Sequence, residues 1–349
     1  MLTARENMRR CIVGDAAPDR FVNNFEALAM AVHPAMMVDK NPEKGGPDVV
    51  NSWGITRSFP ANTPAAFPVH TPELVVCKDI EHWQDYVHAP ATEFPDELWG
   101  ACKAAMYDHM DTEKAYRTTL YVSGLFEMTH HLCGMDTALM YYMTNPDEMH
   151  DMIKYLTEYE LRIAEGICAN LKPEVLFHHD DWGSETNSFL RPSMFEDFFL
   201  DAYKEIYKYY HDHGVQFIFH HADSFCVNLV DDMIEMGIDV WQGCMQTNNV
   251  PELVKKYKGK ITFMGDIDNK SMDFPGWTPA DCRKAAVRAM EENGMVGFIP
   301  CITQGGPGSV FSGSYAALCD EIDKYNSEKF GFSVEEIAAQ RPPLQIMFG

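Results

Sequence analysis

Three residues that follow predicted strands carry side chains suited to binding a metal ion. His221 and Asp223 lie two residues apart just beyond one predicted strand, so both side chains can point into the same space. Cys301 follows a later predicted strand in the equivalent position. Nitrogen, oxygen and sulfur ligands suit a tetrahedral zinc ion whose fourth position stays open, as in catalytic zinc sites. The pattern predicts such a site, although a His-x-Asp pair also occurs by chance.

A second polar cluster, residues 178–181, follows the preceding predicted strand, and Glu185 lies four residues after Asp181. A carboxylate beside an imidazole can donate or accept a proton near neutral pH when burial or a neighbouring charge tunes its pKa. We therefore predict catalytic roles for His179, Asp181 and Glu185. The alternative is that Asp180 or Asp181 fixes the next loop by accepting hydrogen bonds from the backbone.

Further polar residues lie close to these two clusters along the chain. His220, Trp182, Gln242 and Asp266 stand at or just after predicted strand ends, and we predict that they contact the substrate. The glycine-rich segment 305–309 could cradle a phosphate with its backbone amides, but it lacks the lysine of a P-loop. We interpret that segment as a flexible loop.

The elements that carry these residues alternate regularly in the second half of the chain. From Glu174 onward there are five short apolar runs, at residues 175–177, 216–219, 238–241, 261–264 and 296–300. A polar cluster follows each run, and a predicted helix follows most of these clusters. This rhythm predicts a (β/α)8 TIM barrel with its site at the C-terminal ends of the strands. An open doubly wound sheet is the competing architecture, and it would place the site at the same strand ends.

Length and composition indicate a single domain that spans residues 1–349. Residues 1–80 contain stretches rich in proline, glycine and asparagine, so we expect an irregular N-terminal extension that packs on the barrel. The formal charge of −24 argues against nucleic acid or an anionic membrane as a partner. We expect a cytoplasmic protein, because there is no secretory signal and no long apolar run, and in that compartment the ten cysteines need not pair.

Several blocks of the sequence resemble the uroporphyrinogen decarboxylase superfamily, and more specifically its branch of corrinoid-dependent methyltransferases. The matching blocks are residues 2–7, 14–20, 180–185, 191–195 and 263–266. In thiol-methylating members of this branch, zinc is held by a His-x-Cys pair and a distal cysteine. The resemblance aligns His221 and Cys301 with two of those ligands. Asp223 replaces the first cysteine, and His220 is an alternative to His221.

The resemblance implies a zinc-dependent methyltransferase that uses the cob(I)alamin of a separate corrinoid protein, because the chain has no Asp-x-His-x-x-Gly corrinoid motif. An aspartate ligand donates less charge than a thiolate and leaves zinc a stronger Lewis acid towards oxygen, so a small methoxylated aromatic donor is favoured. There are three alternatives: methyl transfer from methylcorrinoid to a thiol, decarboxylation, and ligand binding by a non-catalytic barrel. The acidic chain is poorly suited to the highly anionic substrate of the decarboxylase. A homodimer is possible.

Overall fold

A computed structural model describes residues 1–63, 65–108, 110–305 and 310–343 of the chain. Its helices are α1 (Ala4–Val13), α2 (Pro34–Val38), α3 (Asp96–Met106), α4 (Leu125–Cys133), α5 (Met135–Thr144), α6 (Pro146–Asn170), α7 (Pro192–Phe195), α8 (Asp201–Asp212), α9 (Val230–Met236), α10 (Val250–Lys256), α11 (Pro279–Asn293), α12 (Ser314–Phe330) and α13 (Val334–Ala338). None of the helices in these described ranges is long and apolar enough to cross a bilayer.

Seven parallel strands form the central sheet in the order β1, β5, β6, β7, β8, β9, β10. The strands within the described ranges are β1 (Leu28–Ala31), β2 (Val49–Val50), β3 (Thr56–Ser58), β4 (Phe67–Pro68), β5 (Tyr116–Tyr121), β6 (Val175–His179), β7 (Phe217–His221), β8 (Val240–Cys244), β9 (Thr262–Ile267) and β10 (Phe298–Ile302). The fold is TIM-barrel-like, as the sequence predicts. The predicted count of eight strands differs, since the ladder within the described residues has seven strands and does not pair β1 with β10.

The N-terminal 80 residues are more regular than the sequence indicates. They contain helix α1, and strand β1 pairs in parallel with β5 as the first strand of the central sheet. Strands β2, β3 and β4 form a small antiparallel sheet of their own. The four residues of β1 are all buried, so they lack the alternation of polar and apolar side chains by which a half-exposed strand is recognised.

The outer edge of β10 is covered by the N-terminal segment. Asn24 accepts a hydrogen bond from the backbone N–H of Ile302 at 3.2 Å, and the Cys11 thiol donates to the carbonyl of Phe298 at 3.2 Å. Pro300 lies between these two positions, where its missing N–H leaves no unpaired donor on the edge. Side chains from the start of the chain therefore close this edge of the sheet.

The C-terminal part of the chain is tied to the same region by a buried ion-pair network. Arg341 is 9% exposed and donates to Glu26 at 3.1 Å and to Asp323 at 2.9 Å. Asn23 donates to the same Asp323 carboxylate at 2.8 Å. Removing the arginine would leave two buried carboxylates uncompensated, so the network fixes the end of the described chain against its beginning.

Candidate metal centre

The register of the central sheet aligns polar side chains on three neighbouring strands. His179 at the end of β6 pairs with His221 at the end of β7, and His221 pairs with Gln242 in β8. Successive side chains of a strand point to opposite faces of the sheet, so His178 and His220 point away from this group. The sheet therefore gathers three side chains on one face at the C-terminal ends of its strands.

His178 and His220 lie in the layer between the sheet and the helices. His178 contacts Glu160 of α6 at 2.7 Å, and the two ring nitrogens of His220 contact the Tyr207 hydroxyl at 2.8 Å and the Asp180 carbonyl at 3.1 Å. Trp182 stacks on His220 with ring centroids 4.0 Å apart and is only 2% exposed. Of the two candidate histidines, His221 therefore faces the site, whereas His220 and Trp182, predicted to contact the substrate, are committed to packing.

His179, Asp181 and His221 form the group of possible metal ligands within the described part of the chain. One ligand atom from each lies within 4.8 Å of the others. The Asp181 carboxylate is 3.6 Å from Nε2 of His179 and 4.0 Å from Nε2 of His221. The two imidazole rings stack with their centroids 4.5 Å apart. Two imidazoles and one carboxylate are a ligand set of catalytic zinc sites, in which a fourth position is left for substrate.

Gln242 determines which nitrogen of His221 is available. Its amide nitrogen donates to the carbonyl of Ile302 at 3.2 Å and to the Cys301 sulfur at 3.8 Å, so its amide oxygen faces Nδ1 of His221 and accepts a hydrogen bond from it. Burial lowers the pKa of His221 to about 4, so the ring is neutral and carries a single proton. That proton is on Nδ1, and the lone pair of Nε2 faces Asp181, as in metal sites whose ligand histidine is oriented by a second hydrogen bond.

Negative charge is in excess around these ligands. Burial alone would lower the pKa of His179, but the carboxylates of Glu127, at 3.3 Å, and Asp181 outweigh it and raise this pKa to about 10. Burial and the neighbouring Asp181 raise the pKa of Asp223 well above its usual value. One carboxylate oxygen of Glu127 is buried with no hydrogen-bond partner among the described residues. A bound cation would compensate these charges, so the site fits a divalent metal.

The group of converging side chains differs from the predicted ligand set of His221, Asp223 and Cys301. Asp223 lies beside the group and donates its backbone N–H to Asp181 at 2.9 Å, but its carboxylate is not among the three converging ligands. Cys301 is fully buried, which raises the pKa of its thiol well above the usual value, and its sulfur faces Gln242. The missed signal is a second His-x-Asp pair, His179 and Asp181, with the same spacing as His221 and Asp223.

Asp180 has the loop-fixing role that the sequence left open between it and Asp181. Its carboxylate accepts hydrogen bonds from the backbone N–H groups of Phe126 at 3.0 Å and Glu127 at 2.7 Å, at the start of α4. It also accepts from the Trp182 indole at 2.9 Å and from the Tyr203 hydroxyl. Burial and the charge of Glu127 raise its pKa to about 6. Asp180 therefore anchors α4, and Asp181 is left for the site.

Two other predicted site residues lie outside the ligand group. Glu185 is about half exposed and pairs with Lys270 in the loop after β9. Asp266 is buried against α11, where it accepts hydrogen bonds from Arg288 at 2.9 Å and Asn293 at 2.7 Å. The structure therefore gives no support to the substrate contact predicted for Asp266. Of the glycine-rich segment 305–309, residues 306–309 lie outside the described residues.

Comparison with known proteins agrees with this architecture. Residues 101–322, more than half of the chain, match the family model described as uroporphyrinogen decarboxylase (URO-D). A solved structure, the methyltransferase from Methanosarcina mazei, superimposes with a TM-score of 0.64 at 12% identity, over 93% of this chain and 99% of that one. At this identity the likeness shows the shared fold. No curated protein matches the sequence. The family match over residues 101–322 shows that the chain belongs to the uroporphyrinogen decarboxylase family.

Proposed function

We propose that the protein is a zinc-dependent methyltransferase that moves a methyl group from a small methoxylated aromatic donor to the cob(I)alamin of a separate corrinoid protein. The observation that carries the proposal is the convergence of His179, Asp181 and His221 at the open ends of the strands. The likeness to a fold that serves as a methyltransferase in Methanosarcina mazei supports the same reaction class. The corrinoid partner is inferred from the resemblance of the sequence to corrinoid-dependent methyltransferases.

The donor set supports zinc in particular. Zinc lies about 2.0–2.2 Å from nitrogen and oxygen ligands, and ligand atoms within 4.8 Å of one another can reach one such ion after small side-chain shifts. His179, Asp181 and His221 would hold it. The Glu127 carboxylate contacts Nε2 of His179, the same nitrogen that faces Asp181, so it is a further acidic group at the site and not a partner of the second ring nitrogen.

The chemistry of methyl transfer gives these residues their roles. The O–CH3 bond of the donor breaks and a cobalt–carbon bond forms, so both electrons of the broken bond stay on the oxygen, which leaves as a phenoxide. Zinc bound at the site would supply a Lewis acid for that oxygen. Asp181 and the two histidines would hold the zinc ion, and the strand ends that carry these side chains fix their positions.

The ligand set also bears on the direction of transfer. Two imidazoles and a carboxylate are harder donors than the thiolates of thiol-methylating relatives, and this favours an oxygen-bound substrate over a thiol. Transfer from methylcorrinoid to a thiol and decarboxylation are therefore secondary hypotheses. The possible homodimer, the cytoplasmic location and the catalytic role of Glu185 stay predictions.

Zinc content of single variants tests the ligand set. We expect His179→Ala, Asp181→Ala and His221→Ala to lose stoichiometric zinc, measured by mass spectrometry of the purified proteins. Cys301→Ala should keep it, as should the control variants Cys319→Ala, another buried thiol, and His82→Ala, an exposed histidine. Loss of zinc from Cys301→Ala together with retention in His179→Ala would restore the set predicted from the sequence and refute this one.

The methyl-transfer reaction is tested directly with free cob(I)alamin. The zinc-loaded protein is mixed with it and with aryl methyl ethers, methylamines or methyl thiols, and the absorption spectrum is followed for methylcob(III)alamin. Formation from the ethers alone, abolished in His221→Ala, is expected. Methylation of a thiol by methylcob(III)alamin would instead select the thiol-acceptor reaction. Failure of both reactions, also with a corrinoid protein as acceptor, would contradict a methyltransferase.

A further inference from the structure

A partly open cavity lies between the N-terminal segment and helices α4 and α6. Its volume is about 140 Å³, and its walls include His33, Trp53, Arg57, Tyr121 and Tyr159. An apolar protein cavity of about 150 Å³ is large enough to bind benzene. The cavity is therefore sized for a ligand with one six-membered ring.

Aromatic rings line this cavity in fixed orientations. His33 stacks on Tyr121 with ring centroids 5.4 Å apart and planes 11° from parallel, and Tyr121 stacks on His178 at 5.3 Å and 6°. Trp53 contacts Tyr159 edge to face at 4.8 Å. Flat, pre-positioned rings favour a planar ligand, because aromatic groups pack on one another in offset-stacked or edge-to-face geometry.

His33 is a buried polar side chain without a protein partner. It is 3% exposed, and neither ring nitrogen has a hydrogen-bond partner among the described residues. Burial lowers its pKa to about 3, so the ring is neutral and offers one donor and one acceptor. Buried polar groups are nearly always hydrogen-bonded, so an unpaired imidazole on a cavity wall indicates that the partner comes from a ligand.

Arg57 supplies a positive charge in the same cavity. Its two terminal nitrogens donate to the Asn41 side chain and, at 3.2 Å, to the carbonyl of Ala66. Its Nε is buried and has no acceptor within the part of the chain that the structure describes. The hydrogen-bond partners of this guanidinium are neutral, and the charges of Asp39 and Glu127 act on it from a greater distance. Its remaining N–H is suited to a carboxylate.

We propose that this cavity binds a single-ring aromatic carboxylate, with the carboxylate accepting hydrogen bonds from Arg57 and His33 and the ring packing against the aromatic wall. The binding itself does not depend on zinc. That this carboxylate is the methyl donor rests on the proposed function. The α4 region connects the two places, because Gly124 and Met128 line the cavity and Glu127 contacts His179 of the metal group at 3.3 Å.

Calorimetric titration of the full-length protein tests this proposal, with the zinc-free and zinc-loaded forms measured separately. The probes are benzoate, cyclohexanecarboxylate, which keeps the charge but is not flat, and benzyl alcohol, which keeps the ring but has no charge. We expect benzoate to bind both forms and the other two probes to bind at least tenfold more weakly. Arg57→Gln and His33→Phe should each weaken benzoate binding at least tenfold, and the matched controls Arg10→Gln and His82→Phe should not change it.

The result for the unmodified protein is decisive even if a variant does not fold. No benzoate binding, or equal binding of cyclohexanecarboxylate, would overturn the proposal, as would unchanged benzoate affinity in folded Arg57→Gln and His33→Phe. The outcome is separable from that of the proposed function. Benzoate binding to a protein that takes up no zinc and transfers no methyl group would refute the methyltransferase and leave the carboxylate site standing.

Discussion

Replacing Gln242 by methionine removes the hydrogen bond that orients His221 but leaves His221 itself in place. Methionine has a similar length and fills the space, but it cannot reproduce the hydrogen bonds to Nδ1 of His221 and to the carbonyl of Ile302. Each of these two buried groups left without a partner costs about 1–3 kcal/mol, so the free energy of unfolding of the zinc-free protein should fall by roughly 2–6 kcal/mol. Loss of such an outer partner typically lowers metal affinity about 10–100-fold, or about 1.4–2.7 kcal/mol.

Two assays measure these effects. Urea unfolding of the chelator-treated protein gives the stability, and competition with a chromophoric chelator gives the zinc dissociation constant. Gln216→Met is the matched control, because Gln216 lies just before β7, at the opposite end of the strand from His221, and its side chain makes an exposed contact at 3.4 Å to Glu174. Its stability should change by less than about 0.5 kcal/mol and its zinc affinity not at all. A Gln242→Met protein that is destabilised yet binds zinc as tightly as the unmodified protein would refute the orienting role.

Three further changes test other parts of the structure. Asp180→Ala removes the acceptor of four buried donors, and this should lower the free energy of unfolding by roughly 2–4 kcal/mol in chemical denaturation, partly offset by the loss of an unfavourably buried carboxylate. Arg341→Met leaves two buried carboxylates unpaired, so a loss of about 3–5 kcal/mol is expected in the same assay; a loss below 1 kcal/mol would contradict the buried network. Burial and nearby acidic side chains raise the pKa of Asp232 to about 6 from 3.8, so its ionisation destabilises the folded state as pH rises from about 4 to 6. Asp232→Asn should therefore be more stable than the unmodified protein by about 1 kcal/mol at pH 8, with no gain at pH 3.5, and an equal gain at both values would exclude ionisation as the cause.

The barrel was predictable from the sequence because its strands and helices leave clear local signals. In the second half of the chain, short apolar runs end in polar clusters, and helix starts such as Pro146 and the capping box of Thr278 and Asp281 lie where the structure has them. Strand β1 left no such signal, since four fully buried residues carry no period. Its place in the sheet depends on pairing with β5, which is nearly 90 residues away in the sequence.

The grouping of His179, Asp181 and His221 could be predicted only in part, because it depends on the register between strands. The sequence shows that His179, Asp181, His221 and Asp223 follow two successive strands, and both pairs have the same spacing. It does not show that His179 lies directly opposite His221. Nor does it show that the Gln242 side chain lies between His221 and Cys301 and contacts both, so that the thiol contacts Gln242 and not the metal group.

The covered edge of β10 also bears on how the protein is made. The hydrogen bonds that close this edge join residues 278 and 287 positions apart, and the Arg341 pair spans 315 positions. During synthesis, Asn24, Cys11 and Glu26 therefore lack these partners until residues 298–341 have left the ribosome. Until then a sheet edge and apolar surface are exposed, which are the features that chaperones bind and that lead to aggregation. Contacts of such long range also slow folding, so the step that completes the barrel is expected to be late and slow.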